Sequence, residues 1–324
     1  MFFENIQGEY MSLKNIAIIG YGSQAKTWSL NLKESGINVL IILRKGSSSI
    51  ERAKSDGFRA VSYEEIEYNS DLIEEISHFA LLIPDGEHTA AIKRMAPIVK
   101  KGASIILAHG YSVCAANIQK EFNELNFLML APKAIASGMR KYFLEKKHFP
   151  GAYSLEHSKN REIDKSTLLF LAEKLGMSNP VEVSFKEETI CDLFSEQSLL
   201  CSIIPYGIRY AYEALREKNI NPEMALSECL FETKLIIESI EKMGFNEFFK
   251  IVSPNALIGG QKAVRDTRFQ ELKSLFATLI NDISQNKFYE EVEATNLKKL
   301  RAEVSEDWTR TEVNQTWQEV FGPK

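Results

Sequence analysis

In FKEETICDLFSEQSLLC, residues 185–201, Asp192 and Glu196 stand four apart in a run whose apolar content suits a helix. On an α-helix that spacing stacks two carboxylates on one face, where like charges repel by about 0.2–0.5 kcal/mol even in water. ALSECLFETKLIIESI repeats the arrangement with Glu228 and Glu232, bordered by Ala225, Phe231, Leu235 and Ile236. At the helical period, Asp192 and Glu196 are flanked by Leu199, Leu200 and Ile203, not by an obviously polar side. Burying such groups unpaired costs several kcal/mol each, so they must be neutralised, exposed or coordinated. A solvated face, carboxylates capping neighbouring helices and a polar oligomer interface are the plain alternatives. Two pairs without a matching Lys or Arg stripe make a hard oxygen site of the kind that holds Mg²⁺, and two facing helices can hold a two-metal centre.

The elements that must position these groups fall into two halves. Apolar runs at NIAIIG (15–20), INVLIIL (37–43), HFALLIP (78–84), ASIILAH (103–109) and NFLMLA (126–131) alternate with polar periodic segments. That alternation predicts an α/β domain, a parallel sheet wrapped by helices. From about residue 186 every pattern is helical, so the domains are expected at 1–184 and 185–324 with a packed boundary. A length of 324 residues agrees with two cores.

The first predicted strand runs into GYGSQAKTWSLNL, where Gly20 and Gly22 occupy the turn that cradles a pyrophosphate at a helix N-terminus. Ala25 takes the place of the third glycine, a position that governs helix-to-strand packing. At the end of the second predicted strand an NAD site wants an acidic residue for the ribose, and this chain has LRKGSSS instead. Arg44 or Lys45 with Ser47 and Ser49 suits a 2′-phosphate, hence NADPH; a solvated charged loop is the bland alternative. Asp85, His109 and Lys133 arrive at the carboxyl ends of three successive strands, where ligands of open α/β sheets sit.

Composition excludes other classes. The chain is 44% hydrophobic and 26% charged, with a net charge of −5 and a pI near 5.7, which argues against nucleic acid or an anionic membrane as partner. Cys114, Cys191, Cys201 and Cys229 show no metal spacing and lie in apolar runs, which predicts reduced core thiols in a cytoplasmic protein. MFFENIQGEYMSLKN lacks the apolar core of a signal peptide, and Met11 is an alternative start.

GYGSQ, LRKGSSS, AHGYS, APK, FKEETICDLFSEQ and ECLFETKLI, in this order and spacing, resemble the short-chain class of ketol-acid reductoisomerases, also called acetohydroxyacid isomeroreductases, over about residues 13–292. The resemblance implies an NADPH domain followed by a knotted all-helical domain, two Mg²⁺, and conversion of 2-acetolactate or 2-aceto-2-hydroxybutyrate to the 2,3-dihydroxy acid in valine and isoleucine synthesis. By the same resemblance Asp192 bridges both metals and Glu196 ligates one, while Glu228 and Glu232 come from the second subunit of a homodimer. Ser253 then touches the substrate carboxylate and Cys201 lines the pocket. Gly20, Tyr21, Gly22, Ser23, Gln24, Arg44, Ser47, Ser49 and the turn Asp85, Gly86, Glu87, His88 hold NADPH, with His109 and Lys133 beside the reacting atoms.

Departures from the family pattern bear on the substrate. The family's APKGPGH reads APKAIAS here, its SNTAEYG reads SPNALIG, and its ECLHE reads ECLFE. All four metal carboxylates remain, so a metal-dependent NADPH enzyme is expected. A divergent relative that reduces another 2-keto acid and a non-catalytic NADPH-binding assembly protein are the competing readings.

Overall fold

The computed structural model describes residues 13–322; the choice between Met1 and Met11 falls outside them. The chain divides after Thr189 into two compact units. The first is built on a sheet of eight strands: β1 (Asn15–Ile19), β2 (Asn38–Leu43), β3 (Arg59–Ser62), β4 (His78–Leu81), β5 (Ser104–Leu107), β6 (Asn126–Pro132), β7 (Gly151–His157) and β8 (Val181–Glu182). Their order across the sheet is β3-β2-β1-β4-β5-β6-β7-β8. Strands β3 through β6 run parallel, so the α/β expectation holds for the part that carries the glycine turn. Toward the other edge β7 corrects it, pairing antiparallel to β6, and β8 closes that edge parallel to β7.

Side-chain alternation in β1 shows why these strands read as continuous apolar runs. Ile16 and Ile18 join a buried cluster with Trp28 and Leu32 of the helix Ser23–Glu34, whereas Ala17 and Ile19 join another with Ile66, Ile92 and Met95. Both faces are covered, so no position can be polar at low cost, and each isoleucine contributes about 1.5–3 kcal/mol by burial.

The second unit is helical throughout. The helix Phe185–Ser195 passes into it and continues as a π-helical segment, Glu196–Ile203, where Ser202 Oγ donates to Gln197 O at 2.6 Å, five residues back. A second π segment, Ser227–Glu232, follows the short helix Pro222–Leu226. Such segments are uncommon and concentrate at functional sites. The helix Thr233–Ile251 is kinked at Gly244, whose φ of 80° lies in the left-handed region.

The core of this unit is small: Tyr212, Ala225, Leu226 and Val313, with Leu230, Trp308 and Trp317 packed around them and Tyr212 Oη 2.8 Å from Thr316 Oγ1. The thiol expectation is corrected in both units. All four cysteines are free, but Cys191 and Cys201 are exposed and Cys114 and Cys229 half-buried. Among the described residues no helix is long and apolar enough to cross a membrane.

Candidate active site

The glycine turn follows β1. Gly20 has a φ of +108°, and a Cβ there would lie 2.5 Å from Leu82 O and 2.7 Å from Ile83 Cγ2, so the close approach of β1 to the end of β4 requires glycine. Gly22 precedes the helix Ser23–Glu34 and supplies no side-chain cap, while the exposed Ser23 and half-buried Gln24 open its first turn. This leaves backbone N–H groups and the positive end of the helix dipole for an anion.

Tyr21 is buried and points away from that turn. Its hydroxyl donates to Asp56 Oδ2 at 2.7 Å, Lys26 Nζ holds the same oxygen at 2.7 Å, and its ring meets Phe58 edge-on. Burial, then the hydrogen bond to Asp56, pushes its phenol far above the usual range. Tyr21 therefore anchors the turn from behind and offers a ligand its backbone.

A cleft of about 460 Å³ runs from Gly20 and Tyr21 past Arg44, Ser47 and Ser49 to Glu87 and Arg94. Arg44 is exposed beyond the end of β2, and Ser49 N donates to Ser47 Oγ at 3.3 Å. A neighbouring cleft of about 290 Å³ is lined by Gly20–Gln24, Asp85, His88 and His109.

Asp85, Gly86 and Glu87 form a single 3₁₀ turn after β4. His88, which follows, is buried, with Nε2 3.0 Å from Ile83 O and Nδ1 2.6 Å from Ser112 Oγ. A carbonyl only accepts, so Nε2 carries the proton and Nδ1 accepts from Ser112. Burial holds the His88 pKa below its ordinary value and keeps the ring neutral. Its side chain staples the turn after β4 to the helix Tyr111–Ala116.

At the ends of β5 and β6 the structure brings His109 and Lys133 to one carboxylate that sequence reasoning missed. Glu188 has a side chain 1% exposed; Oε2 lies 2.9 Å from His109 Nδ1 and accepts from Gly110 N at 2.8 Å, while Oε1 accepts from Lys133 Nζ at 2.6 Å. Burial pushes the Glu188 pKa up, but the hydrogen bond from His109 and the charges of His109 and Lys133 outweigh it, and the carboxyl stays below its usual range. A Cβ at Gly110 would clash with Phe185 O and Thr189 Oγ1, so glycine lets the helix Phe185–Ser195 press its backbone against the end of β5. The signal for Glu188 was in FKEET: it precedes Asp192 by the same four residues that separate Asp192 from Glu196.

Asp192 is half-buried one turn beyond Glu188 on the same helix, and the exposed Glu196 opens the first π segment, which also carries Cys201. Glu228 and Glu232 lie in the second π segment, both exposed. Three of the four carboxylates thus sit at the start of, or inside, a π segment, and Asp192 lies one turn before one in ordinary α-helix. The expected apolar surroundings are present around Glu228 and Glu232, but Phe231, Leu235 and Ile236 are exposed with them. No desolvation penalty is therefore paid there within one chain. Ser253 caps the helix Pro254–Val264, its Oγ accepting from Ala256 N at 3.4 Å. The donors are carboxylate oxygens, the set that a hard divalent cation takes, so these residues fit Mg²⁺ by chemistry.

Comparison with known proteins agrees with this division of labour. Residues 10–179 match the model of the acetohydroxy acid isomeroreductase NADPH-binding domain, and residues 185–320 match that of the ketol-acid reductoisomerase C-terminal domain. A ketol-acid reductoisomerase (NADP(+)) of Sulfolobus acidocaldarius is 32% identical over 86% of this chain and 82% of its own. That of Methanothermobacter thermautotrophicus is 31% identical over 94% of each. The solved structure of an NADH-preferring ketol-acid reductoisomerase from an uncultured archaeon superposes with a TM-score of 0.81 at 26% identity, over 96% of both chains. With both halves matched in order, the chain belongs to the ketol-acid reductoisomerase family.

Proposed function

We propose that the protein converts 2-acetolactate or 2-aceto-2-hydroxybutyrate to the 2,3-dihydroxy acid in the cytoplasm, with NADPH as reductant and two Mg²⁺ held by Asp192 and Glu196 with Glu228 and Glu232. The observation that carries this reading is Glu188, buried and ionised between His109 and Lys133 at the strand ends where the nucleotide clefts open. Bound Mg²⁺ supplies Lewis acidity toward the ketone and hydroxyl oxygens of the substrate.

The chain's own groups do the rest. The turn Gly20–Gln24 orients the dinucleotide and Arg44, Ser47 and Ser49 take its 2′-phosphate. Alkyl migration takes a proton from the substrate hydroxyl and returns one to the former ketone oxygen, and hydride arrival at the new ketone takes up one more, so one proton is consumed with each hydride. Lys133 Nζ, held by Glu188, can deliver and recover a proton at that place, and His109, held by Glu188 through Nδ1, borders the smaller cleft. Ser253 would meet the substrate carboxylate and Cys201 would line its pocket.

Glu228 and Glu232 are proposed to act in a second copy of the chain, since they share a face with exposed Phe231, Leu235 and Ile236 that a homodimer would bury. One observation favours a second substrate choice: Ile135, two residues past Lys133, is 78% exposed where the family's APKGPGH has proline, so the site also suits a different 2-keto acid.

NADPH oxidation followed with a panel of keto acids, with and without Mg²⁺, tests both. Turnover of 2-acetolactate that stops on chelation supports the first reading, and metal-dependent turnover of a different keto acid alone selects the second. NADPH binding without turnover of any of them would refute both.

A further inference from the structure

We infer that Glu87 sets the cofactor preference of the larger cleft, competing with a 2′-phosphate for Arg44 while offering an acceptor to an unphosphorylated ribose. The inference rests on the reading of that cleft as a nicotinamide dinucleotide site.

Two segments of opposite charge face each other across it. Beyond β2 stand Arg44, Ser47 and Ser49; beyond β4 stands the turn that ends in Glu87. Glu87 Oε2 lies 3.4 Å from Arg44 Nη1, and Glu87 is the one carboxylate among the residues lining the cleft. The other lining cation, Arg94, is engaged elsewhere: its guanidinium donates to Glu64 and Glu67 and lies over the Tyr63 ring. Arg44 is therefore the cation placed for a phosphate, and its carboxylate neighbour is Glu87.

A 2′-phosphate brings between one and two negative charges to the place where Glu87 already sits against the guanidinium. Docking it means either pulling Arg44 away from Glu87 or holding phosphate and carboxylate side by side, and both oppose binding. A ribose that keeps its hydroxyl brings a donor, for which a carboxylate is a good acceptor. One side chain thus weakens NADPH and supports NADH. Arg44 and Glu87 are 74% and 44% exposed, so water and salt screen the effect and it amounts to a few-fold.

The test is direct binding of NADPH and of NADH to the full chain by calorimetric titration, at low and at physiological salt, in wild type, Glu87→Gln and Glu87→Asp. Glu87→Gln should tighten NADPH by about fivefold and loosen NADH, with the gap between the two shifts narrowing as salt rises. Glu87→Asp, which keeps the charge, should stay close to wild type. Equal changes for both cofactors in Glu87→Gln, or weaker NADPH, would overturn the role of Glu87. A wild type that binds neither cofactor would overturn the dinucleotide reading beneath it, and the inference with it.

Discussion

Phe79, Ile106 and Leu128, in the sheet of the first unit, are wholly buried, whereas Ile236, Phe245 and Ile258 in the helices of the second are 42%, 72% and 68% exposed. Both sets came from apolar runs of similar strength. The difference teaches that hydrophobicity marks a residue for burial without saying against what. A parallel sheet finds its cover in its own crossover helices, within one chain. Long helices apolar nearly all round find it only in something else, and in this protein that is proposed to be a second copy.

The largest effect that can break this contrast is a cavity in the first unit. Phe79→Ala should destabilise the sheet unit by about 3–5 kcal/mol and abolish nucleotide binding, measured by denaturant unfolding with and without NADPH. A loss below 1 kcal/mol would mean that this core is not the self-sufficient one.

Ile236→Asp should act differently. Half exposed in the single chain, it should change unfolding of the monomer by less than about 1 kcal/mol, yet shift the mass from dimer to monomer in light scattering and remove turnover with it. A monomer that keeps full activity would show that Glu228 and Glu232 are not supplied across an interface.

The smallest effect is electrostatic and belongs to the first unit. The folded pKa of Glu188 is depressed, so its contribution is complete above its unfolded value of about 4.3 and is lost as pH falls through the folded value. Thermal unfolding of wild type should thus weaken in that acid window more than that of Glu188→Gln. Parallel profiles for the two proteins would remove Glu188 from the balance.

Much of the first unit was legible because its strands are covered on both faces and read as unbroken apolar runs. β3, β7 and β8 were not: RAVS opens on the exposed Arg59, GAYSLEH mixes residue types, and Val181–Glu182 is exposed and only two residues long. The glycine turn was legible through spacing, but the inward turn of Tyr21 depends on Asp56, thirty-five residues away, which no local pattern announces. His109 and Lys133 were found as strand ends. Their shared partner Glu188 was passed over because the row of carboxylates was read from Asp192 onward.

The π segments carry a consequence for any attempt to lengthen or shorten this chain. A helix that closes its bonds five residues back holds a residue more per turn than its neighbours, so its surroundings behave as though an amino acid had been spliced into the thread. Removing one residue between Glu196 and Ile203 would let the backbone relax into ordinary α pitch and turn everything downstream by about 100° relative to the carboxylates upstream. For these two stretches, angular phase along the helix is itself part of the proposed ligand set, and a one-residue deletion that spares every acidic side chain would still dismantle it.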